Sequence, residues 1–333
     1  MKVSSINLPN LDEVRAELAR RSLSRYIREA WQVIEPGTEY LHNWHIDAIS
    51  EYLTAVTQGQ ILRLLINMPP RYMKSISVSV MWPTWSWIDR PSSRWIFASY
   101  SQSLSTKHSV DRRTIIQSDW YRSHWGDLYN LTSDQNVKTE YQNDKRGVMV
   151  ATSVGGTATG KGGDFIIVDD PHNPKEAQSD IQREAAITFF DQTLSTRLDN
   201  KKTGAIVVVM QRLHERDLSG HILERGGYEH LCLPAEAEKR TVIRMPVSLK
   251  EIIREERGLL WPEREGPQEI AGQKISLGSY GYAGQYQQRP SPAEGGILKR
   301  YWWRFWCYPG HTLPPVTVKG ADGAPINRLR QAV

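Results

Sequence analysis

The chain has 333 residues, of which 39% are hydrophobic and 24% are charged, and these values are typical of folded globular domains. The net charge of +5 permits a polyanionic partner without requiring one. No apolar run approaches the roughly 20 residues that cross a bilayer, and the first residues, MKVSSINLPNLDEV, are too polar for a signal peptide. We therefore expect a protein that is neither secreted nor membrane-embedded.

Helical periodicity dominates the first part of the sequence. Apolar positions at helical spacing predict a helical N-terminal segment over residues 11–35 and a second helix over residues 45–56. The run ILRLLIN at residues 61–67 then predicts a buried strand that enters a loop at a pair of prolines. Residues 75–88 predict a helix, which Pro83 is expected to kink or to end early.

Four further apolar runs predict buried strands. They cover residues 94–100, 147–154, 165–169 and 205–210. Strands that are apolar throughout and alternate with helices favour an α/β fold with a mostly parallel sheet flanked by helices on both faces. Proline and glycine become frequent after residue 259, which indicates a boundary, and the last 25 residues show little periodicity.

The segment MPPRYMKS at residues 68–75, called here the 68–75 loop, lies between a predicted strand and a predicted helix. A phosphate-binding loop places backbone N–H groups around phosphates, a Lys on the β- and γ-phosphates and a Ser or Thr hydroxyl on Mg²⁺. Lys74 and Ser75 match this pattern, whereas Met68 and Met73 replace its two glycines. Taken alone, the segment fits a phosphate site and a simple helix cap equally well.

A second candidate is FIIVDD, a buried run that ends in Asp169 and Asp170. In phosphate-loop enzymes the first such acid holds Mg²⁺, often through water, and the next orients or deprotonates the attacking water. A capped turn between strand and helix is the alternative. Asp169 follows Lys74 by 95 residues (169 − 74), an interval that suits an additional-strand NTPase core, in which another strand lies between the loop strand and the acidic strand.

Other polar residues follow the predicted strands. Gln211 and Arg212 come at the end of the run at 205–210, where a polar side chain could sense the γ-phosphate, although Arg212 could instead pair with an acid. The glycine-rich residues 155–163 enter a strand rather than a helix, so they predict a loop contacting nucleotide, DNA or a neighbouring subunit, or a plain linker. The histidines show no metal-binding spacing, which favours surface or packing roles.

Several segments together resemble the large subunit of tailed-phage and prophage terminases. The resemblance spans about residues 40–300 in the family's order. It includes, besides the 68–75 loop, WHIDAI at 44–49, FASYSQSLS at 97–105, GTATGKGGDFIIVDDPH at 156–172, VVVMQRLHERDLSGHIL at 207–223, LLWPER at 259–264 and AGQYQQRPSPAEGG at 283–296.

The resemblance implies a P-loop NTPase fold of the additional-strand, RecA-like type that uses ATP and Mg²⁺. Arg71 is then expected to reach the γ-phosphate in cis, Lys74 to hold phosphate, and Asp170, where the family has Glu, to activate water. Ser75 and Asp169 are the expected metal ligands, and Gln211 matches the coupling position. The segment at Trp44 resembles the family's adenine side. The expected nucleotide contacts are Pro70, Arg71, Tyr72, Met73, Lys74, Ser75, Ile76, Gln211 and Trp44.

The same resemblance implies a motor that translocates double-stranded DNA into a procapsid. The expected partners are double-stranded DNA, a portal protein and a small terminase subunit, with a homo-oligomeric ring on assembly or a monomer in isolation. The expected location is the bacterial host cytoplasm, at the portal vertex. The expected divisions are a helical segment at 1–58, an ATPase core at 59–258, a linker subdomain at 259–308 and a tail at 309–333.

The sequence leaves other functions open. The family's nuclease domain needs a cluster of acids, but only Glu294 and Asp322 follow Pro290, so we expect no endonuclease activity from this chain. A catalytically weak or dead module that binds DNA or procapsid is one alternative, and a helicase-like translocase is another. A metal-dependent nuclease centred on Asp169, Asp170 and His172 is the most distant.

Overall fold

The computed structural model describes residues 10–156, 160–291, 318–319 and 325–326. Residues Met1–Pro290 form one compact unit and Ser291–Val333 a second. The predicted boundaries at 58 and 258 fall inside the first unit, and the division of the chain into those segments stays a prediction. Glu294 and Asp322 lie outside the described residues, as does most of the predicted tail.

The helices and strands follow the chain order α1–α3, β1, α4, β2, α5, α6, β3–β6, α7, β7, α8, β8–β10, α9. The helices are α1 Leu11–Arg21, α2 Leu23–Ile34, α3 Trp44–Thr57, α4 Trp82–Asp89, α5 Gln102–Gln117, α6 Asp119–Trp125, α7 Asp180–Thr188, α8 Leu218–Arg225 and α9 Pro267–Gln285, with π-helical segments at Ile76–Met81 and Phe189–Thr193 and a 3-10 turn at Leu194–Arg197. The strands are β1 Arg63–Asn67, β2 Arg94–Ser99, β3 Leu131–Val137, β4 Glu140–Asn143, β5 Val148–Ser153, β6 Phe165–Asp169, β7 Ala205–Met210, β8 Glu229–Cys232, β9 Thr241–Arg244 and β10 Glu251–Arg254.

An eight-stranded sheet in the order β3-β4-β5-β2-β6-β7-β1-β8 forms the centre of the first unit. The strands from β5 to β8 in that order are parallel, and β3 and β4 add an antiparallel edge. The predicted α/β class with a mostly parallel sheet is therefore confirmed. So is the additional-strand order, because β7 lies between β1 and β6.

Alternate residues of the central strands enter two hydrophobic clusters. In β1, for example, Leu64 and Ile66 belong to one cluster and Leu65 to the other. Each strand is buried on both sides by helical segments, which explains why these strands are apolar throughout. The predicted strands in β1, β2, β5, β6 and β7 are all present.

The helical regions match the predictions with two refinements. The predicted N-terminal segment is two helices, because Ser22 ends α1 and caps α2 by accepting a hydrogen bond from the Arg25 N–H. The helix predicted over 75–88 begins as a π-helical segment, in which the Trp82 N–H donates to the Ser77 carbonyl five residues earlier, and becomes α-helical at Trp82. Pro83 lies in the first turn of α4, where proline is tolerated.

The second unit contains one described ladder, in which β11 Val318–Lys319 pairs antiparallel with β12 Pro325–Ile326. Among the residues that the structure describes, no helix combines the length and the apolar character needed to cross a membrane.

Candidate functional site

The 68–75 loop leaves the carboxyl end of β1 and enters the π-helical segment. Arg71 and Met73 both have left-handed backbones, with φ of 68° and 64°. Glycine is the residue that normally supplies this conformation, so Met73 adopts the backbone of the glycine that it replaces. Its side chain is 7% exposed and belongs to a hydrophobic cluster.

Two carboxylates lie opposite this loop at the end of β6. Lys74 Nζ is 2.7 Å from Asp170 Oδ2. Ser75 Oγ donates to Asp169 Oδ1 at 2.9 Å, and Ser79 Oγ donates to Asp169 Oδ2 at 2.6 Å. The structure therefore brings the predicted Lys, Ser and both Asp residues into direct contact, although the acids are 95 and 96 residues from the lysine.

The acids lie in a region of low solvent exposure, with side-chain exposures of 3% for Asp169 and 17% for Asp170. Burial raises the pKa of both carboxyl groups, and the positive charge of Lys74 opposes that rise in both. Asp170 is held further by the Gln211 backbone N–H, which donates to its Oδ1 at 3.2 Å. Lys74 is thus the strongest of the groups that favour the ionised form of both acids.

Ser75 and Asp169 have the spacing of two metal ligands. Adjacent oxygens of an octahedral Mg²⁺ at 2.0–2.1 Å lie about 2.9 Å apart, and Ser75 Oγ is 2.9 Å from Asp169 Oδ1. Mg²⁺ commonly takes one or two protein ligands and completes its shell with phosphate oxygens and water. Within the described ranges, no group of three or more His, Cys, Asp or Glu residues could hold a metal.

Gln211 and Arg212 follow β7 at the same edge of the sheet. Gln211 is 7% exposed, and its Oε1 is buried with no hydrogen-bond partner. Arg212 instead pairs with Asp217, with Nε 2.9 Å from Oδ1. Of the two predicted sensor candidates, Gln211 therefore lies beside the acids with a free acceptor, and Arg212 takes the alternative role of an ion-pair partner.

The remaining predicted nucleotide contacts differ in their exposure to solvent. Pro70 and Ile76 are half-buried and Arg71 is exposed. Tyr72 is 1% exposed. Trp44 is half-buried beneath Arg254, whose Cζ lies 5.7 Å from the ring centroid.

Two residues that contact the acids had weak or no signal in the sequence. Ser79 lies four residues after Ser75 on the same helical stretch, a spacing that could have identified it. His108 comes from α5, and its Nδ1 is 3.5 Å from Asp169 Oδ2. Burial lowers the pKa of His108 to about 4, so the ring is neutral at pH 7. Nothing in the sequence places it there, because the contact depends on how α5 packs on the π-helical segment.

The histidines considered in the sequence have packing or surface partners. His172 Nε2 accepts a hydrogen bond from the Leu218 N–H at 2.8 Å, and His221 Nε2 lies 3.0 Å from Asp191. His172 is thereby engaged away from the acids, which disfavours a nuclease centred on it. In the glycine-rich region, Lys161 forms an ion pair with Glu140 at 2.6 Å.

The left-handed backbone at Arg71 leads to a stability prediction. Arg71→Gly should be more stable than Arg71→Ala by about 1 kcal/mol, because only glycine adopts φ of 68° without steric cost, a gain partly offset by its more flexible unfolded state. Chemical denaturation of the two variants measures the difference. Both variants lack the guanidinium, so its loss does not contribute to the difference in stability between them.

Arg90 is the matched control for this comparison, since it is exposed and its φ is −131°. There the alanine variant should be at least as stable as the glycine variant. If the glycine and alanine variants had the same order of stability at both positions, the result would contradict a strained backbone at Arg71.

Comparison with known proteins gives matches among solved structures only. No family model and no curated protein matches the sequence. The large terminase of bacteriophage HK97 is 13% identical, with a TM-score of 0.46, over 66% of this chain and 44% of that protein, so the chain spans less than half of its length. The large terminase ATPase domain of Thermus phage P74-26 is 12% identical over 78% of this chain and 97% of the domain, with TM-scores of 0.46 for a mutant and 0.40 for a second structure. These three solved structures are a phage large terminase and two structures of one phage large terminase ATPase domain.

Proposed function

We propose that this chain is the Mg²⁺-dependent ATPase part of a motor that translocates double-stranded DNA into a viral procapsid. The main support is the site itself. Lys74 and Ser75 from the loop after β1 meet Asp169 and Asp170 from the end of β6, at 2.7 Å for Lys74–Asp170 and 2.9 Å for Ser75–Asp169. A lysine, a hydroxyl and two acids at the carboxyl edge of a parallel sheet are the groups that phosphoryl transfer uses.

Each residue has a distinct role in this proposal. Lys74 binds the β- and γ-phosphates, and the exposed Arg71 reaches the γ-phosphate. Asp170 orients the attacking water and accepts its proton, so binding of phosphate must draw Lys74 at least partly away from Asp170. Mg²⁺, held by Ser75 and Asp169, would neutralise charge on the phosphate oxygens. Catalysis then comes from positioning and electrostatic stabilisation.

Gln211 couples this chemistry to the rest of the fold in the proposal. Its backbone N–H contacts Asp170, and its buried Oε1 has no hydrogen-bond partner. A buried acceptor without a partner costs free energy, so a donor that appears during turnover, such as the attacking water, would shift this side chain.

The motor role adds partners that follow from the resemblance to terminases. We propose a ring of copies at the portal vertex in the host cytoplasm, acting with a portal protein and a small terminase subunit. Contact with DNA would be made largely to phosphates, in keeping with the net charge of +5, and would weaken steeply with salt.

ATP hydrolysis measured with and without Mg²⁺ and duplex DNA tests the proposal. We expect turnover that requires Mg²⁺ and is stimulated by DNA of any sequence. Absence of turnover under every condition, with DNA binding retained, would instead support the inactive DNA- or procapsid-binding module. ATP-driven strand separation would support a helicase-like translocase.

A further inference from the structure

The 68–75 loop contains no glycine, yet it has two left-handed residues, Arg71 and Met73, on either side of Tyr72. The left-handed conformation costs each non-glycine residue roughly 1–2 kcal/mol. Strained backbone of this kind persists only where surrounding structure holds it. Since the loop's own sequence does not favour its conformation, neighbouring residues must supply the constraint.

The side chain of Tyr72 is one such constraint. It is 1% exposed, and its hydroxyl donates to Glu265 Oε2 at 2.9 Å. Its ring lies edge-on to the ring of Trp261, with centroids 6.1 Å apart, and to that of His45, at 6.0 Å. The residue between the two strained positions is therefore fixed by α3 and by the turn at residues 261–265.

The backbone of Tyr72 is fixed by His45. His45 Nε2 lies 3.2 Å from the Tyr72 carbonyl oxygen, and His45 Nδ1 lies 2.5 Å from Asn43 Nδ2. Asn43 Nδ2 also donates to the Leu260 carbonyl at 2.7 Å, which identifies that atom as the amide nitrogen. Because an amide nitrogen only donates, His45 Nδ1 must accept. The ring proton is then on Nε2, where it donates to Tyr72.

We propose that His45 is a positioning residue of the phosphate site, which holds the glycine-free 68–75 loop in its phosphate-binding shape through the Tyr72 carbonyl. Asn43 sets the tautomer of His45, and Trp261 and Glu265 secure the side chain of Tyr72. These contacts replace the backbone freedom that glycines provide in an ordinary phosphate loop. The inference deepens the proposed ATPase function and rests on it.

The test uses the full chain with two substitutions at the same position. His45→Phe keeps an aromatic ring against Tyr72 and Trp261 but cannot donate to the carbonyl, whereas His45→Gln retains a donor. Loss of one hydrogen bond should speed hydrogen exchange at the amides of residues 71–76 and raise the KM for ATP, each by up to about tenfold. We expect His45→Gln to bring the exchange rates and the KM for ATP close to their wild-type values. In both variants kcat should change less than KM.

His221→Phe is the matched control, because His221 also loses one side-chain partner, Asp191, but lies outside the loop contacts. It should leave loop exchange and KM unchanged. Should His45→Phe fail to fold, Asn43→Ala provides the milder version, since it frees the tautomer while leaving the ring in place; it should also speed loop exchange.

Hydrogen exchange needs no nucleotide, so the two proposals fail separately. Loop exchange at the wild-type rate in the folded His45 or Asn43 variants would overturn the positioning role. Faster exchange in the variants, combined with a wild-type chain that does not hydrolyse ATP, would instead overturn the proposed function and leave the structural role of His45 intact.

Discussion

Lys74→Ala is expected to lower ATP turnover at least about a hundredfold, because in the proposed function Lys74 is the charged donor to the transferred phosphate. It should also destabilise the fold. Lys74 and Asp170 are 7% and 17% exposed and 2.7 Å apart, so the variant leaves a largely buried acid without its cation. We expect a loss of about 1–3 kcal/mol in the free energy of unfolding, measured by chemical denaturation beside the ATPase assay.

The double variant Lys74→Ala with Asp170→Asn separates the two effects. Removing the unpaired charge should recover much of the lost stability, while ATP turnover stays at least about a hundredfold below that of the wild type. Lys107→Ala is the matched control, since Lys107 also pairs with an acid, Asp111, at 2.6 Å, but is 63% exposed. It should leave ATP turnover unchanged and alter the free energy of unfolding by no more than about 0.5 kcal/mol. Wild-type turnover in Lys74→Ala would refute the proposed site.

The sequence was sufficient to predict the centre of the sheet and insufficient for its edges. The central strands are buried on both faces and are therefore apolar throughout, as in FIIVD and AIVVVM. The edge strands have no such signal. LTSDQNV of β3 and EYQN of β4 are mostly polar, since they are partly exposed and belong to an antiparallel extension of the sheet. The ribbon of β9 and β10 was not predicted either, because exposed strands lack a continuous apolar pattern: three of the four residues of β9 are exposed.

The site shows a similar division. The positions of Lys74, Ser75, Asp169, Asp170 and Gln211 could be predicted, because each ends or follows a buried strand, or begins a helical segment, at one edge of a parallel sheet. By contrast, the contacts that hold this arrangement join distant segments, as His45 joins α3 to the 68–75 loop. The polarity and periodicity of a single sequence contain no information about such pairs.

Arg112 is a buried cation whose removal is expected to destabilise the fold. It is fully buried on α5; Nη1 donates to the Ser79 carbonyl at 2.5 Å, Nε donates to Tyr141 Oη at 3.2 Å, and Cζ lies 3.6 Å from the ring centroid of Phe97. We expect Arg112→Met to lower the free energy of unfolding by about 1–3 kcal/mol, because the buried Ser79 carbonyl loses its charged donor. Arg112→Lys should lose less stability than Arg112→Met but should stay below the wild type, because an ammonium cannot reproduce the planar fork of donors.

The chemistry of Pro83 explains why the Ser79 carbonyl needs this arginine. Proline has no N–H to donate to the carbonyl four residues earlier, and its ring disfavours that geometry. Arg112 donates to that carbonyl oxygen instead, and the hydroxyl of the same serine donates to Asp169. The guanidinium therefore supports both the π-helical segment and one of the carboxylates of the site.

A double-mutant cycle between Arg112 and Pro83 tests this link. Pro83→Ala restores an N–H that can reach Ser79, so Arg112→Met should cost about 1 kcal/mol less in the Pro83→Ala background than in the wild type. Unfolding by denaturant, with all four proteins measured under one condition, gives the coupling energy. Strictly additive effects would mean that the two residues act independently, and that Arg112 stabilises the fold through Tyr141 and Phe97 alone.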